Sequence, residues 1–130
     1  MANAKITELN TISEAIYPQV SAGISSSVLV DMRDFHEYCA VVSHGTATTA
    51  STLVVKVYES TASTWAGAVA TLLSTTTTSI ATASTAVSTV NVRDTDITEG
   101  KRYLGIYVTK VDTASSLSAI TIQSDDRYLG

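Results

Sequence analysis

The 130-residue sequence contains one cysteine, one proline, one tryptophan and one phenylalanine, and only 15% of its residues are charged. A single cysteine, Cys39, cannot form an internal disulfide, which excludes a small secreted fold held together by disulfides. Basic residues are neither in surplus nor clustered. The formal net charge is −4, and only Lys101 and Arg102 are adjacent cations. Proteins that neutralise nucleic-acid phosphates cluster such residues, so we expect no nucleic-acid partner.

Long apolar segments are also lacking. No run approaches the roughly 20 residues that a membrane-spanning helix needs, and the N-terminal sequence MANAKITELN lacks the apolar region of a signal peptide. We therefore expect no membrane partner and a chain made and folded in a reducing cytoplasm. The length suits one domain with a single core.

Threonine and serine are abundant, and short segments with alternating apolar and polar residues predict strands. These segments are 27–33, 37–43, 52–60, 87–93, 101–108 and 117–123. Residues 64–73 are predicted to be irregular or a strand, and 74–88 to be a long connection of low complexity. No strand–helix–strand rhythm occurs, so the fold class is all-β: a single-domain antiparallel β-sandwich or barrel, jelly-roll-like, over residues 25–130.

Two of these segments show their buried face clearly. In one of them Leu53, Val55 and Val57 form an apolar face opposite a mixed one, and in the other Leu104 and Ile106 begin the apolar face of the sequence KRYLGIYV. This alternation predicts strands with one face in the core. Gly105 interrupts the second pattern, which indicates a bulge or the close approach of a neighbouring group.

Residues 1–24 differ from the rest of the chain. Their apolar residues have a faint helical spacing that Pro18 would end; they are Ile6, Leu9, Ile12 and Ile16. The sequence leaves two alternatives for this segment, a short helix or an extended N-terminal arm that becomes ordered on a partner.

Residues with catalytic or metal-binding chemistry are few. Cys39, His36 and His44 could form a thiol–imidazole dyad or a metal site, but they lack the paired spacing of structural zinc ligands. We expect instead an inert thiol in the core and histidines at the surface. The acidic segment 94–99 lacks the ligand spacing of a calcium loop, so we expect a solvated turn. Without a phosphate loop or a nucleophile elbow, we expect neither an enzyme nor a bound cofactor or metal.

Residues 25–124 resemble small structural proteins of tailed bacteriophages that are encoded beside the major capsid protein. The likeness is a pattern of strands and turns rather than a catalytic motif. Its features in the first half are Asp31-Met32, Phe35, Ala40-Val41-Val42, Gly45-Thr46 and Glu59-Ser60, and in the second half the segments GKRYLGIYVT and LSAITIQS.

The resemblance implies a capsid decoration protein, which binds the outside of the phage head and stabilises the shell against the pressure of packed DNA. It further implies the major capsid protein as partner, the virion as location and a homo-oligomer, a trimer above all. On this hypothesis the N-terminal arm contacts the capsid, and its removal (residues 2–20) leaves the β domain folded. The expected contact residues are Ile6, Leu9, Ile12, Ile16, Tyr17, Lys101 and Arg102.

Two alternative functions stay open at this point. The chain could be a neck, tail or head–tail connector protein of the same virion, which would be present in far fewer copies. It could also be a carbohydrate-binding β-sandwich used in host adsorption, for which Trp65 and Tyr58 would be the aromatic contacts.

Overall fold

The computed structural model describes residues 10–20, 24–26, 29–63, 65, 70–112 and 114–124. Within these residues there is no α-helix, only strands and a single 3₁₀ turn at Asp94–Asp96. The strands are β1 (Asn10–Val20), β2 (Ile24–Ser26), β3 (Val30–Asp31), β4 (Glu37–His44), β5 (Ser51–Ser60), β6 (Thr71–Ile80), β7 (Ala86–Arg93), β8 (Tyr103–Lys110) and β9 (Ser116–Ser124).

These strands form two antiparallel sheets. The four-stranded sheet has the order β1-β9-β4-β7, and the five-stranded sheet has the order β2-β8-β5-β6, with β3 also pairing with β8. Apart from the β2–β3 pair and the β5–β6 hairpin, each connection passes from one sheet to the other. This order is that of a jelly roll, which confirms the predicted all-β sandwich and decides the strand order that the sequence leaves open.

The core lies between the sheets. Leu53, Val55 and Val57 of β5 are fully buried, and so are Leu104 and Ile106 of β8. Both inner faces are therefore those that the alternation predicts. β8 pairs with β2 and β3 on one side and with β5 on the other, so KRYLGIYV includes an interior strand.

Gly105 lies on the outer face of β8 beneath two side chains. A Cβ atom at this position would come within 2.9 Å of the Trp65 ring and would also overlap the end of the Leu29 side chain. The β5–β8 register is continuous at this point. Close approach, rather than a bulge, is therefore the reason for glycine here.

The long connection predicted for residues 74–88 is wrong. Residues 71–80 form β6, which pairs with β5 along its length, and the true connection is only 81–85. β6 is an edge strand whose inward side chains are mostly small hydroxyls, so its sequence lacks the bulky apolar alternation of a central strand. The β-branched threonines nevertheless suit a pleated edge.

The short helix that is one alternative for residues 1–24 is also wrong over residues 10–20. This segment is β1, the edge strand of the four-stranded sheet, hydrogen-bonded to β9. The register shifts between Glu14 and Ile16, and this bulge turns Ile12 outward and Ile16 into the core. The first strand predicted at 27–33 is shorter than expected, since the structure has only β3 there, and residues 27 and 28 lie outside the described part.

Candidate protein interface

The outer face of the four-stranded sheet carries a continuous apolar surface, which we name the isoleucine face. Cross-strand register builds it in two neighbouring rows. In one row Ile122 of β9 lies between Ile12 of β1 and Cys39 of β4, and in the next row Ile120 lies beside Val41. The face thus consists of Ile12, Cys39, Val41, Ile120 and Ile122.

This surface is accessible to a partner. Ile12 is 48% exposed and Ile120 is 40% exposed, while the other members are half-buried by their neighbours. The outward side of an antiparallel sheet is normally polar, so a patch of adjacent apolar side chains on three strands, with two exposed isoleucines, requires an explanation. A contact with another protein provides one.

Charged side chains lie only at the margins of this face among the described residues. Glu14 borders Ile120 on β1, and Glu37 lies at the end of β4. Arg93 of β7 forms an exposed ion pair with Glu37, with 3.4 Å between Nε and Oε1. The centre therefore presents no charge that a partner would have to neutralise, and it matches an apolar surface.

The predicted arm residues divide between different environments. Ile12 belongs to the isoleucine face, whereas Ile16 is 4% exposed and packs in the core, so it cannot contact a partner. Tyr17 lies in β1, but its side chain is outside the described part of the structure. Ile6 and Leu9 also lie outside the described residues.

Lys101 and Arg102 both have partners within the chain. The Lys101 ammonium lies 3.8 Å from a carboxylate oxygen of Glu59 and donates a hydrogen bond to the Thr71 hydroxyl. The Arg102 guanidinium lies 3.0 Å from the Asp31 carboxylate and also packs over the Tyr103 ring. The structure therefore shows them stabilising the end of β8, where the sequence predicts contacts with a neighbour.

The expected location of Cys39 in the core is wrong, and so is the expected surface location of His44. Cys39 points outward from β4, whereas His44 is 2% exposed and points inward. His36 is half-exposed and pairs with Asp94, with 2.9 Å between Nδ1 and Oδ2. The thiol and the two imidazoles thus point in different directions and do not converge.

A buried carboxylate, Glu59, holds the loops at one end of the sandwich together. It accepts hydrogen bonds from the backbone N–H of Thr98 at 2.8 Å and from the Thr98 hydroxyl at 2.6 Å. Burial acts to raise the pKa of Glu59, but these hydrogen bonds, the Lys101 charge and the Thr71 hydroxyl outweigh it and lower the pKa. The Glu-Ser pair noted in the sequence is therefore a structural anchor.

A second buried carboxylate anchors the loops at the opposite end. Asp112 accepts hydrogen bonds from the backbone N–H groups of Thr48 and Ala114. The Ser115 side chain and these donors hold the pKa of Asp112 far below its usual range. Nearby, Lys110 donates to the Ser115 carbonyl, and burial lowers the pKa of the Lys110 ammonium. These charges connect the loops that follow β4 and β8.

The outer face of the five-stranded sheet carries a group of aromatic rings. Tyr58 lies edge-to-face against both Trp65 and Tyr107, with ring centroids 5.7 and 6.3 Å apart. All three side chains are partly exposed. Tyr58 and Trp65, the aromatic glycan contacts of one alternative function, therefore lie together in the structure.

Ile120 and Ile122 of the isoleucine face are not among the contact residues expected from the sequence. A signal for them exists, because Ile120 and Ile122 alternate with Leu117, Ala119 and Thr121 across the core-facing side of β9. A strand with apolar residues on both faces indicates that each face is covered. In β4 the run from Tyr38 to Val42 shows the same signal.

Comparison with protein-family models and with curated proteins finds no match. Solved structures do match in fold. One is the viral particle of infectious bursal disease virus, with a TM-score of 0.57 and 13% identity over 90% of this chain and 31% of the viral chain. Another is a Clostridium thermocellum xylanase 10B, CBM22-1 and GH10 modules complexed with xylohexaose, with a TM-score of 0.54 and 12% identity over 92% of this chain and 26% of that one. A third is the Yersinia pseudotuberculosis-derived mitogen, with a TM-score of 0.50 and 10% identity over 91% and 89% of the two chains.

These likenesses establish the fold. The chain spans about a third of the length of the viral proteins that it matches. Within the described residues, no helix is long and apolar enough to cross a membrane. The molecule is a jelly-roll β-sandwich of the kind found in virus particles and in multi-module carbohydrate-active enzymes.

Proposed function

We propose that the chain is a non-enzymatic structural protein of a bacteriophage particle, a decoration protein that binds the outer surface of the head. The isoleucine face contacts the major capsid protein. On this proposal the protein is made in the host cytoplasm and resides in the virion, and it binds neither nucleic acid nor a membrane.

The observation that carries the proposal is the exposed isoleucine face on a rigid jelly roll. Its members lie on paired strands rather than on loops, so the surface is already formed before binding and little conformational entropy is lost. The fold that the chain shares with a virus-particle protein and the resemblance of residues 25–124 to phage structural proteins support the same function.

Shell stabilisation follows from such a contact. Packed DNA pushes outward on the shell, so a module that bridges subunits adds contacts that must break before the shell opens. A specific interface buries about 1,600 Å² in total. Repeated at many equivalent positions, even a modest interface of this kind contributes a large total stabilisation.

The experiment compares particles that carry the wild-type chain with particles that carry Ile120→Lys, a substitution at one of the two exposed members of the isoleucine face. Because Ile120 is already 40% exposed, the variant is expected to fold. We expect its copy number in purified particles to fall at least about tenfold, as for a charge placed in a desolvated contact.

The matched control is Thr49→Lys, which adds the same charge in the exposed β4–β5 loop. It is expected to be incorporated at the wild-type level. Wild-type incorporation of a folded Ile120→Lys protein would show that this face does not contact the capsid.

A second candidate function is glycan binding, and the group of Tyr58, Trp65 and Tyr107 favours it. Partly exposed aromatic rings on a sheet face suit stacking against sugar rings. An oligosaccharide array tests this function. If the chain binds glycans, we expect at least one oligosaccharide to bind the wild-type chain. Its signal should disappear with Trp65→Ala and persist with Ile120→Lys on the opposite sheet. Absence of any bound oligosaccharide would count against it.

A further inference from the structure

The edge strands of the two sheets differ in how well they are protected against pairing with a strand of another molecule. β1 carries Pro18 and two register shifts, and β2 and β3 are only three and two residues long. β7 ends on a charged residue, Arg93. Short strands, bulges, proline and charge are the devices by which natural sheets avoid pairing with other strands.

β6 has almost none of these devices. It is ten residues long, contains no charge and no proline, and pairs only with β5 among the described residues. Its one irregularity lies opposite Val57 and Tyr58, so Ser74–Ile80 is a regular segment of seven residues. Every second residue there directs its N–H and C=O groups to the free edge.

The side chains of this segment indicate which kind of strand can pair with the free edge of β6. Thr75 and Thr77 are exposed on the outer face, while Thr76 and Thr78 are half-buried on the inner face. A foreign peptide gains specificity from distinct side-chain pockets along an edge, and a run of four threonines offers none. Against an antiparallel copy of itself, the same run places hydroxyls and methyl groups opposite one another without like-charge repulsion.

We propose that the β6 edge binds a second copy of this chain, with the two β6 strands antiparallel about a two-fold axis. The five-stranded sheets of the two molecules then join into one continuous sheet. The contact leaves the isoleucine face free on both molecules. It predicts a two-fold pair, in contrast to the trimer that the phage resemblance implies.

Sedimentation equilibrium of the purified chain over a range of concentrations tests the proposal. We expect a reversible monomer–dimer equilibrium. The double substitution Thr75→Lys, Thr77→Lys places four ammonium groups across the dimer contact and is expected to raise the dissociation constant at least about tenfold. The charge-matched control Thr46→Lys, Thr49→Lys, in the exposed β4–β5 loop, should leave it unchanged.

Amide hydrogen exchange of the wild-type chain gives an independent readout that needs no variant. Exchange at the edge-facing amides of residues 74–80 should slow as the protein concentration rises, while exchange in β7 should stay constant. A chain that stays monomeric at all concentrations, a trimer, or a dimer insensitive to the β6 lysines would overturn the proposal. Because the isoleucine face is not involved, none of these outcomes depends on capsid binding.

Discussion

A chain lacking residues 2–20 is expected to be largely unfolded at room temperature. The deletion removes β1, which pairs with β9 and contributes the buried Ile16 to the core. Loss of a buried isoleucine side chain alone costs about 2–5 kcal/mol, and the paired strand is lost in addition. Domains are stable by only about 5–15 kcal/mol. Far-ultraviolet circular dichroism during urea titration measures the loss of folded structure and of unfolding free energy.

Two single substitutions in the same strand provide the matched control. Ile16→Ala is expected to lower the free energy of unfolding by about 2–5 kcal/mol. Ile12→Ala, on the exposed outer face, should change it by no more than about 0.5 kcal/mol. Equal effects of the two substitutions, or a truncated chain of wild-type stability, would show that residues 10–20 are an arm and not part of the fold.

Glu59→Gln is expected to produce the second large effect. The substitution removes a buried negative charge that accepts two hydrogen bonds from Thr98 and lies beside Lys101. Buried donors that lose their full hydrogen bonding lower the free energy of unfolding by about 1–3 kcal/mol. The exposed Glu14→Gln is the matched control, with a change within about 0.5 kcal/mol.

The effect of Glu59 depends on pH in a defined direction. Its pKa is lowered by folding, so its contribution to stability is complete above the unfolded-state pKa of about 4.3 and is lost as pH falls through the folded-state pKa. Urea midpoints between neutral pH and about pH 3 should therefore decline less steeply for Glu59→Gln than for wild type. Parallel declines would contradict this role. The decline that persists in the variant is expected to come in part from Asp112.

The strands that the sequence predicts well are those with a continuous apolar row on one face and a mixed row on the other. In β5 and β8, every second residue from Leu53 to Val57 and from Leu104 to Val108 is a large aliphatic residue, and the structure buries that side. β4 is different, because Tyr38 to Val42 are all apolar or weakly polar. In such a strand, packing decides which face is buried, and in β4 it places Tyr38 inside and Cys39 outside.

Two of the edge strands, β1 and β6, are elements that the sequence does not predict. β6 has small hydroxyl side chains on both faces, which resemble those of a loop, and only pairing with β5 makes it a strand. In β1 a bulge puts Ile12 and Ile16 on opposite faces, whereas a helix or a regular strand would put residues four positions apart on the same face. The Glu59 anchor joins residues 39 positions apart in the chain, a separation that no local pattern reveals.

A decoration protein is a repeated component of the phage head, present in many copies. The most direct test is a quantitative mass-spectrometric count of this chain in purified virions, relative to the major capsid protein. The proposal predicts a ratio near one to one or a simple fraction of it. A handful of copies per particle would assign the chain to the neck or tail, and absence from the particle would contradict the structural function altogether.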